Sequence, residues 1–450
     1  MAVPAGRALG DSLWPDVAHF APKELLAAIE QAAAGADAAA RVGEGSLAAL
    51  REAGYPGLPV PAQFRGAGGS LAECCAVQRL IAMADPGLAV AVNMHLFSVG
   101  LMVEHWRRRT DVSWLLLEAI ARQNRLLASA FAEPNLAGSV VRSTLRAVPV
   151  DGGWRVSGVK SPCSLAAQAD LVCLQLQTDP AYGPEELLVA LLPTNAPGLS
   201  VERTWDTLGM RGSASDTLRL TDCVIPDELV FYRSPVGGDN DDVVAAGIIW
   251  FCLTTTASYL GVAQSVLDEA RELMGRVRVA HLDASRAESP SFQGVVGDQV
   301  GALLTLGAAV VGLAGAMDAG ADPERLLPAA IAVKQHSVAM VPAAVAAVAE
   351  SCGGVAYSRA SRLTRLWRDA QAIHFHPPTR FASRQYLGRL SLGVPAFLDL
   401  DEAAPALRAS RGGEARPDDR SRVAPAVTLD AVPSRSGGLP DEDRNEEGFR

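Results

Sequence analysis

The sequence has little of what a nucleic-acid-binding or a secreted protein normally carries. Aromatic residues make up 5% of its 450 residues, and acidic residues outnumber basic ones, which gives a formal net charge of −10. Binding to phosphates needs a basic face, so this charge balance argues against nucleic acid as a partner. The N-terminus has no apolar stretch behind a basic start, so the sequence predicts no secretory signal and a cytoplasmic location.

Paired cysteines are also missing. The seven cysteines are an odd number, and they lack the paired spacing that zinc sites need. Because they stand in apolar surroundings, they are predicted to be buried free thiols in a reducing compartment. No metal site is expected.

Charged residues are absent from residues 243–267 and from 301–317. Both runs are close to the length that spans a bilayer. The first contains three threonines at 254–256, and the second is rich in glycine and alanine. Both are therefore predicted to be central helices of a helical core, buried on most sides, and no membrane partner is expected.

The chain divides into regions of different periodicity. Residues 1–125 show helical patterns, whereas residues 126–235 show short alternating or β-branched runs. Residues 236–400 form long alanine-rich segments that suit an antiparallel bundle. Residues 401–450 have scarcely any large apolar residue and are predicted to be a disordered tail. The expected fold class is α+β, mainly α, with an N-terminal helical domain, a small β-barrel domain and a C-terminal four-helix bundle.

Cap and turn residues place individual elements within these regions. Ser70 followed by Glu73 predicts a capping box and a helix that runs to about Ala84. Glycine at 152 and 153 predicts a hairpin turn where a positive φ is needed. Strands are predicted over 143–150, 154–160, 171–177, 187–192, 199–202 and 217–223.

Four motifs stand in a fixed order along these regions. They are Gly57-Leu58-Pro59-Val60-Pro61 with Gly66-Ala67-Gly68, Phe131-Ala132-Glu133-Pro134 running on to Ser139, Leu208-Gly209-Met210-Arg211-Gly212-Ser213, and Gly353-Gly354 with Arg368-Asp369-Ala370. As an ordered set they resemble the acyl-CoA dehydrogenase superfamily, and the resemblance covers roughly residues 20–395.

This resemblance implies FAD, held between the β-barrel domain and the bundle. Ser164 would occupy the place of the hydroxyl that hydrogen-bonds flavin N5, where a donor stabilises the reduced flavin. Taken alone, a serine there could simply cap backbone groups, and Gly353 could end a helix. The residues that the resemblance places at the cofactor are Phe131, Ala132, Ser139, Pro162, Ser164, Arg276, Gly353 and Gly354.

The carboxylate that removes the α-proton in acyl thioester dehydrogenation is missing from both of the family's positions. His376-Pro377-Pro378-Thr379 stands where the family has Tyr-Glu-Gly-Thr, and no Asp or Glu occurs at 243–267 or 370–398. His374 and His376 lie in a segment predicted to be extended, so both are expected to face the flavin. A neutral imidazole can transfer protons near pH 7, which makes both candidate catalytic residues. The alternative is that they satisfy backbone groups in a loop.

Three hypotheses about function follow. The leading one is FAD-dependent α,β-dehydrogenation of an acyl-CoA or acyl-carrier-protein substrate, with an electron-transfer flavoprotein or oxygen as the electron acceptor. The second is a reduced-flavin-dependent monooxygenase on the same scaffold, which hydroxylates or N-oxidises its substrate and which the two histidines could serve. The third is a catalytically silent flavoprotein subunit. A homodimer or homotetramer is expected.

Overall fold

The computed structural model describes residues 10–134, 136, 138–236, 241–396 and 398. Within these residues the chain forms five helices, then eight strands, then five further helices with a short strand pair after the first of them. The succession of a helical region, a β region and a helical region is the predicted one. The predicted disordered tail, 401–450, lies outside the described residues.

Two of the N-terminal helices begin at residues whose side chains cap them. The side chain of Ser70 accepts a hydrogen bond from the Glu73 amide, and Glu73 accepts one from the Ser70 amide in return, so the predicted capping box is confirmed. Asp85 caps the next helix by accepting from the Leu88 amide. The five helices are α1 (Lys23–Ala39), α2 (Glu44–Glu52), α3 (Leu71–Ala84), α4 (Pro86–Arg109) and α5 (Trp114–Arg122).

The strands are β1 (Leu127–Ala130), β2 (Arg146–Val150), β3 (Gly153–Cys163), β4 (Leu171–Thr178), β5 (Glu186–Pro193), β6 (Leu199–Glu202), β7 (Asp216–Pro226) and β8 (Val230–Pro235). They form one sheet in the order β6-β7-β3-β2-β4-β5-β8, with β1 paired in parallel to β4. All six predicted strands are present, and Gly152 has the positive φ expected at the hairpin turn. β1 and β8 were not predicted, because neither short run alternates in polarity.

The C-terminal helices are α6 (Asp242–Arg276), α7 (Pro290–Asp318), α8 (Pro323–Cys352), α9 (Arg362–Ala370) and α10 (Arg380–Ser391). The two-residue strands β9 (Arg278–Val279) and β10 (Ala284–Ser285) pair between α6 and α7. α6 lies at the centre and packs against α3, α4 and α8. Gly261 makes the α3 contact possible, because a Cβ atom there would lie 2.2 Å from the Arg79 carbonyl oxygen.

Four helices, α4, α6, α7 and α8, are long and apolar enough to cross a membrane by length and composition. In the most apolar 18-residue stretch of α6, 94% of residues are buried inside the fold, as predicted for a central helix. The same prediction for residues 301–317 is wrong, because only 28% of the corresponding stretch of α7 is buried. α7 packs mainly on one side, against α8 and α3.

All seven cysteines are buried and unpaired, as predicted. In the part of the chain that the structure describes, no group of three His, Cys, Asp or Glu side chains is placed to hold a metal ion. The domain boundaries at 125, 235 and 400 stay predictions, since the described residues pack as a single unit.

Candidate active site

A cavity of about 590 Å³ lies where α4, the sheet, α6 and the segment after α9 meet. Most of the side chains that line it are apolar. Six of the residues predicted to form the site lie in its wall: Phe131, Ala132, Ser139, Pro162, Ser164 and His376. We call it the central cavity.

The loop after β1 forms one wall and is held by a buried ion pair. The Nζ atom of Lys160 on β3 lies 2.5 Å from the Glu133 carboxylate, and neither side chain is exposed. The amide of Thr144 donates to the other oxygen of this carboxylate at 2.7 Å. Burial alone would raise the pKa of Glu133, but the Lys160 ammonium holds it below its ordinary value. Glu133 is therefore an anion whose oxygens are already in use.

Three serine hydroxyls form a hydrogen-bonded chain in the same wall. Ser164 Oγ lies 2.7 Å from Ser215 Oγ, which lies 2.8 Å from Ser213 Oγ. All three residues are buried, and all three line the cavity. Ser164 therefore has a hydroxyl partner as well as a face toward the cavity, so it is more than a backbone cap.

The segment from Leu208 to Ser213 is clamped to α9. Asp369 accepts a hydrogen bond from the Met210 amide at 2.6 Å, and Arg368 donates to the Leu208 carbonyl at 2.6 Å. A Cβ atom on Gly209 would lie 2.3 Å from the Arg368 carbonyl oxygen, so this close approach requires glycine. Burial raises the pKa of Asp369 to about 7. Two of the sequence motifs thus meet at this wall.

The predicted geometry of the two histidines is wrong. Residues Gln371–Phe375 form a 3₁₀ helix that continues from α9, so the segment is not extended. The helix ends before His376, which has extended backbone dihedrals, so the two histidines do not lie in one extended run. His374 is exposed and does not line the cavity, whereas His376 does.

His376 is held from two sides by residues that the sequence did not single out. Its Nε2 atom lies 2.8 Å from the Tyr259 hydroxyl on α6. Its carbonyl oxygen accepts a hydrogen bond of 2.8 Å from the buried Nζ of Lys334 on α8. Burial, with a smaller effect of the Lys334 charge, lowers the pKa of His376 to about 3. The imidazole is therefore neutral at pH 7.

His95 is a packing residue. The Nε2 atom lies 3.0 Å from the Pro56 carbonyl oxygen, and the Nδ1 atom accepts a hydrogen bond from the Leu127 amide. Burial lowers the pKa of His95 to about 4. Both ring nitrogens are used in joining α4 to the start of the sheet.

The part of the central cavity that α4, β5 and α6 line, which we call its inner end, has almost no polar groups. Its lining comes from α4, β5 and α6 and consists of Val90, Met94, Phe97, Leu101, Leu187, Val189, Val244, Gly247, Ile248 and Phe251. Tyr232, the nearby polar residue, already donates its hydroxyl to Asp241. Among the described lining residues the one carboxylate is Glu133, which Lys160 neutralises.

Three other residues predicted at the cofactor do not line the cavity. Arg276 is exposed at the end of α6 and pairs with Glu272 at 2.9 Å. Gly353 ends α8 with φ +81°, and a Cβ atom there would lie 2.6 Å from the Arg286 guanidinium. Gly354 follows it. The arginine beside this glycine turn is Arg286, which the sequence did not single out.

Three family models match the chain in order. The N-terminal domain of acyl-CoA dehydrogenase matches residues 13–107, the middle domain residues 128–223 and the C-terminal domain residues 253–381. They cover α1 to most of α4, most of the sheet, and the C-terminal helices from within α6 to the start of α10.

Individual relatives carry more specific names. Isobutylamine N-hydroxylase from Streptomyces viridifaciens is 30% identical over 365 residues, which cover 79% of this chain and 92% of that protein. Amino sugar nitrososynthase RubN8 from Streptomyces rubradiris is 30% identical over 377 residues, which cover 81% and 85%.

Among solved structures, KijD3 in complex with FMN and dTDP-3-amino-2,3,6-trideoxy-4-keto-3-methyl-D-glucose superposes with a TM-score of 0.73 at 25% identity. The alignment covers 89% of this chain and 96% of that one. The fold, the ordered family models and these relatives agree: the chain belongs to the acyl-CoA dehydrogenase superfamily of flavoproteins.

Proposed function

We propose that the chain is a flavin-dependent monooxygenase that N-oxidises or hydroxylates an apolar substrate. The main observation in support is that no group in the described wall of the central cavity is able to remove an α-proton. Glu133 is committed to Lys160, and His376 is a neutral imidazole whose pKa, lowered to about 3, makes it a poor base.

The residues present fit a flavin. Gln175 lines the cavity, and its buried Oε1 atom has no hydrogen-bond partner within the described residues. A buried acceptor of this kind is costly unless a ligand supplies a donor, and an isoalloxazine ring carries an N–H group. The Ser164–Ser215–Ser213 hydroxyls supply further polar contacts in an otherwise apolar wall.

A bound flavin would supply two-electron transfer and, once reduced, the activation of oxygen. The residues of the chain supply binding, orientation and exclusion of water. Phe131, Pro162 and Ser164 would hold the ring system against the sheet. His376, neutral and hydrogen-bonded to Tyr259, would act from the segment after α9.

The inner end of the cavity favours a substrate with an aliphatic body. Its side chains come from α4, β5 and α6 and bear no charge. Burial of apolar surface against such walls is favourable by about 25 cal/mol per Å², whereas the polar groups of a sugar nucleotide would stay unpaired there. The name of the N-hydroxylase relative refers to a small branched amine, which has this character. We therefore propose an aliphatic amine as the substrate.

Dehydrogenation of an acyl thioester is the second candidate, because an acyl chain also suits this inner wall. The segment from Trp205 to Ser213 stays close to the dehydrogenase pattern. Within it, the indole Nε1 of Trp205 donates a hydrogen bond to the Met210 carbonyl at 3.0 Å. Such a reaction would have to leave proton removal to water or to the substrate.

FAD remains the flavin proposed from the motif at Phe131 to Ser139, whose residues 135 and 137 lie outside the described residues. FMN is the alternative, since the solved structure of KijD3 holds FMN. Heat release of the flavin followed by chromatography distinguishes the two. A homodimer or homotetramer and a cytoplasmic location stay predictions, and light scattering tests the first.

One pair of assays tests the function. The first is anaerobic titration of the oxidised flavoprotein with alkyl amines and with acyl thioesters, followed by the flavin absorbance. The second supplies a flavin reductase, NADH and oxygen and measures oxygenated product. We expect no bleaching in the first assay and product from an amine in the second. Bleaching by an acyl thioester would overturn the proposal in favour of dehydrogenation.

A further inference from the structure

Tyr259 is a buried polar residue in the uncharged stretch of α6. The residue is fully buried, and burial raises the pKa of its hydroxyl well above the ordinary value, so it keeps its proton. That proton needs an acceptor, because an unpaired buried O–H is costly. In the part of the chain that the structure describes, the hydroxyl has one hydrogen-bond partner, Nε2 of His376 at 2.8 Å.

This partnership determines which ring nitrogen of His376 carries hydrogen. If Nε2 carried it, the Tyr259 hydroxyl would accept and its own hydrogen would have no acceptor among the described residues. The hydroxyl therefore donates, and Nε2 is the bare nitrogen. A neutral imidazole has one N–H group, so the hydrogen lies on Nδ1.

Lys334 restrains the same residue through its backbone. Its Nζ atom is buried and donates to the carbonyl oxygens of His376 at 2.8 Å and Ile373 at 3.3 Å. No carboxylate forms a salt bridge with it among the described residues. Its charge thus remains uncompensated beside the imidazole and disfavours a second positive charge there.

We infer that Tyr259 and Lys334 are positioning residues that hold His376 as the neutral Nδ1–H tautomer, which makes the imidazole a hydrogen-bond donor toward a molecule in the central cavity. A role for this N–H donor in the reaction with oxygen rests on the proposed function. The tautomer itself does not. His376 lines the cavity while Tyr259 stands behind it, outside the lining.

Nitrogen-15 NMR of histidine-labelled protein with its flavin bound tests this inference. The chain has seven histidines, and the signals lost in His376→Gln identify His376. His95 is an internal standard of the opposite kind, because its Nδ1 accepts from the Leu127 amide and its Nε2 faces the Pro56 carbonyl. We expect protonated Nδ1 for His376 and protonated Nε2 for His95 at pH 7.

Two variants test the role of the positioning residues. Tyr259→Phe should convert His376 to a mixture of tautomers and lower kcat about tenfold or more while KM changes little. Tyr386→Phe removes another buried tyrosine hydroxyl, on α10, and should leave the His376 signals unchanged. Lys334→Met should broaden the His376 signals, and Lys334→Arg should restore them in part.

Protonated Nε2 in the wild type, or an unchanged spectrum in Tyr259→Phe, overturns the inference. The NMR result does not depend on turnover. If the monooxygenase assay gave no product while the Nδ1–H signal of His376 was present, the proposed function would therefore be overturned and the tautomer supported. Product formation by a protein in which Nε2 of His376 is protonated would support the proposed function and overturn the tautomer.

Discussion

The Nζ atom of Lys160 on β3 lies 2.5 Å from Oε1 of Glu133, and neither side chain is exposed to solvent. This pair ties the loop after β1 to the sheet, and the loop carries three of the residues predicted to contact flavin, Phe131, Ala132 and Ser139. Removal of one partner leaves an uncompensated buried charge.

Lys160→Met is therefore expected to destabilise the fold by about 3–5 kcal/mol and to lower the flavin content of the purified protein. Urea unfolding and the flavin-to-protein absorbance ratio measure both effects. Arg219→Ala is the matched control, because its pair with Glu202 is about half exposed and an exposed ion pair contributes little to stability. Equal losses in the two variants would contradict the structural role of the buried pair.

His376→Ala should lower kcat by about 100-fold or more while the flavin stays bound, because it removes the neutral imidazole from the cavity wall. The measurement is steady-state turnover beside the flavin content. His374→Ala is the control and should stay near wild-type activity, since His374 is exposed and outside the lining. If His374→Ala were the inactive variant, the assignment would have to be reversed.

The lowered pKa of His376 predicts a specific pH effect on stability. The pKa is about 3 in the folded state and about 6.5 in the unfolded chain, so between these values the unfolded state binds more protons. Stability contributed by this group is therefore present above pH 6.5 and is lost as pH falls, by about 1.4 kcal/mol per pH unit.

The variant His376→Gln isolates this effect, since other groups titrate equally in both proteins. Between pH 6.5 and 4.5, its free energy of unfolding should decline less steeply than that of the wild type. Urea midpoints at several pH values provide the comparison. Parallel curves would mean that His376 is charged in the folded state.

Ile248→Trp should narrow the inner end of the central cavity. We expect KM for longer or branched amines to rise about tenfold while the smallest substrates are less affected, because each excluded methylene is worth about 1–3 kcal/mol. Ile249→Val, at a fully buried neighbour that does not line the cavity, is the control. An equal rise for all chain lengths would place the substrate elsewhere.

Local signals in the sequence were sufficient for much of the fold. The capping box at Ser70 depends on residues three apart, and the hairpin at Gly152 depends on a short turn, so both could be predicted. The burial of α7 could not be predicted, because periodicity does not reveal how many neighbours a glycine- and alanine-rich helix has. Its composition is that of a buried helix, but its contacts lie mainly on one side.

The residues of the candidate site also divide into those that local sequence signals reveal and those that contacts between distant parts of the chain position. Phe131 lies in one of the motifs, Ser164 was placed by the family resemblance, and both line the central cavity. The orientation of His376 was not predicted, because it depends on Tyr259 from α6 and Lys334 from α8, which are far away in the sequence. A single lysine within the apolar α8 was the available signal. Arg286 was missed for a similar reason, since it lies beside Gly353 in the fold but far from it in the sequence.

The three serines in the cavity wall have a directional property. Each hydroxyl has one hydrogen to donate, so if Ser164 donates into the cavity, Ser215 must donate to Ser164 and Ser213 to Ser215. If Ser164 accepts from the cavity, its own hydrogen turns inward to Ser215 and Ser215 donates to Ser213. Rotation of three O–H bonds thus exchanges a donor for an acceptor at one fixed oxygen, and the same wall can suit both a ligand atom that bears a hydrogen and one that has lost it.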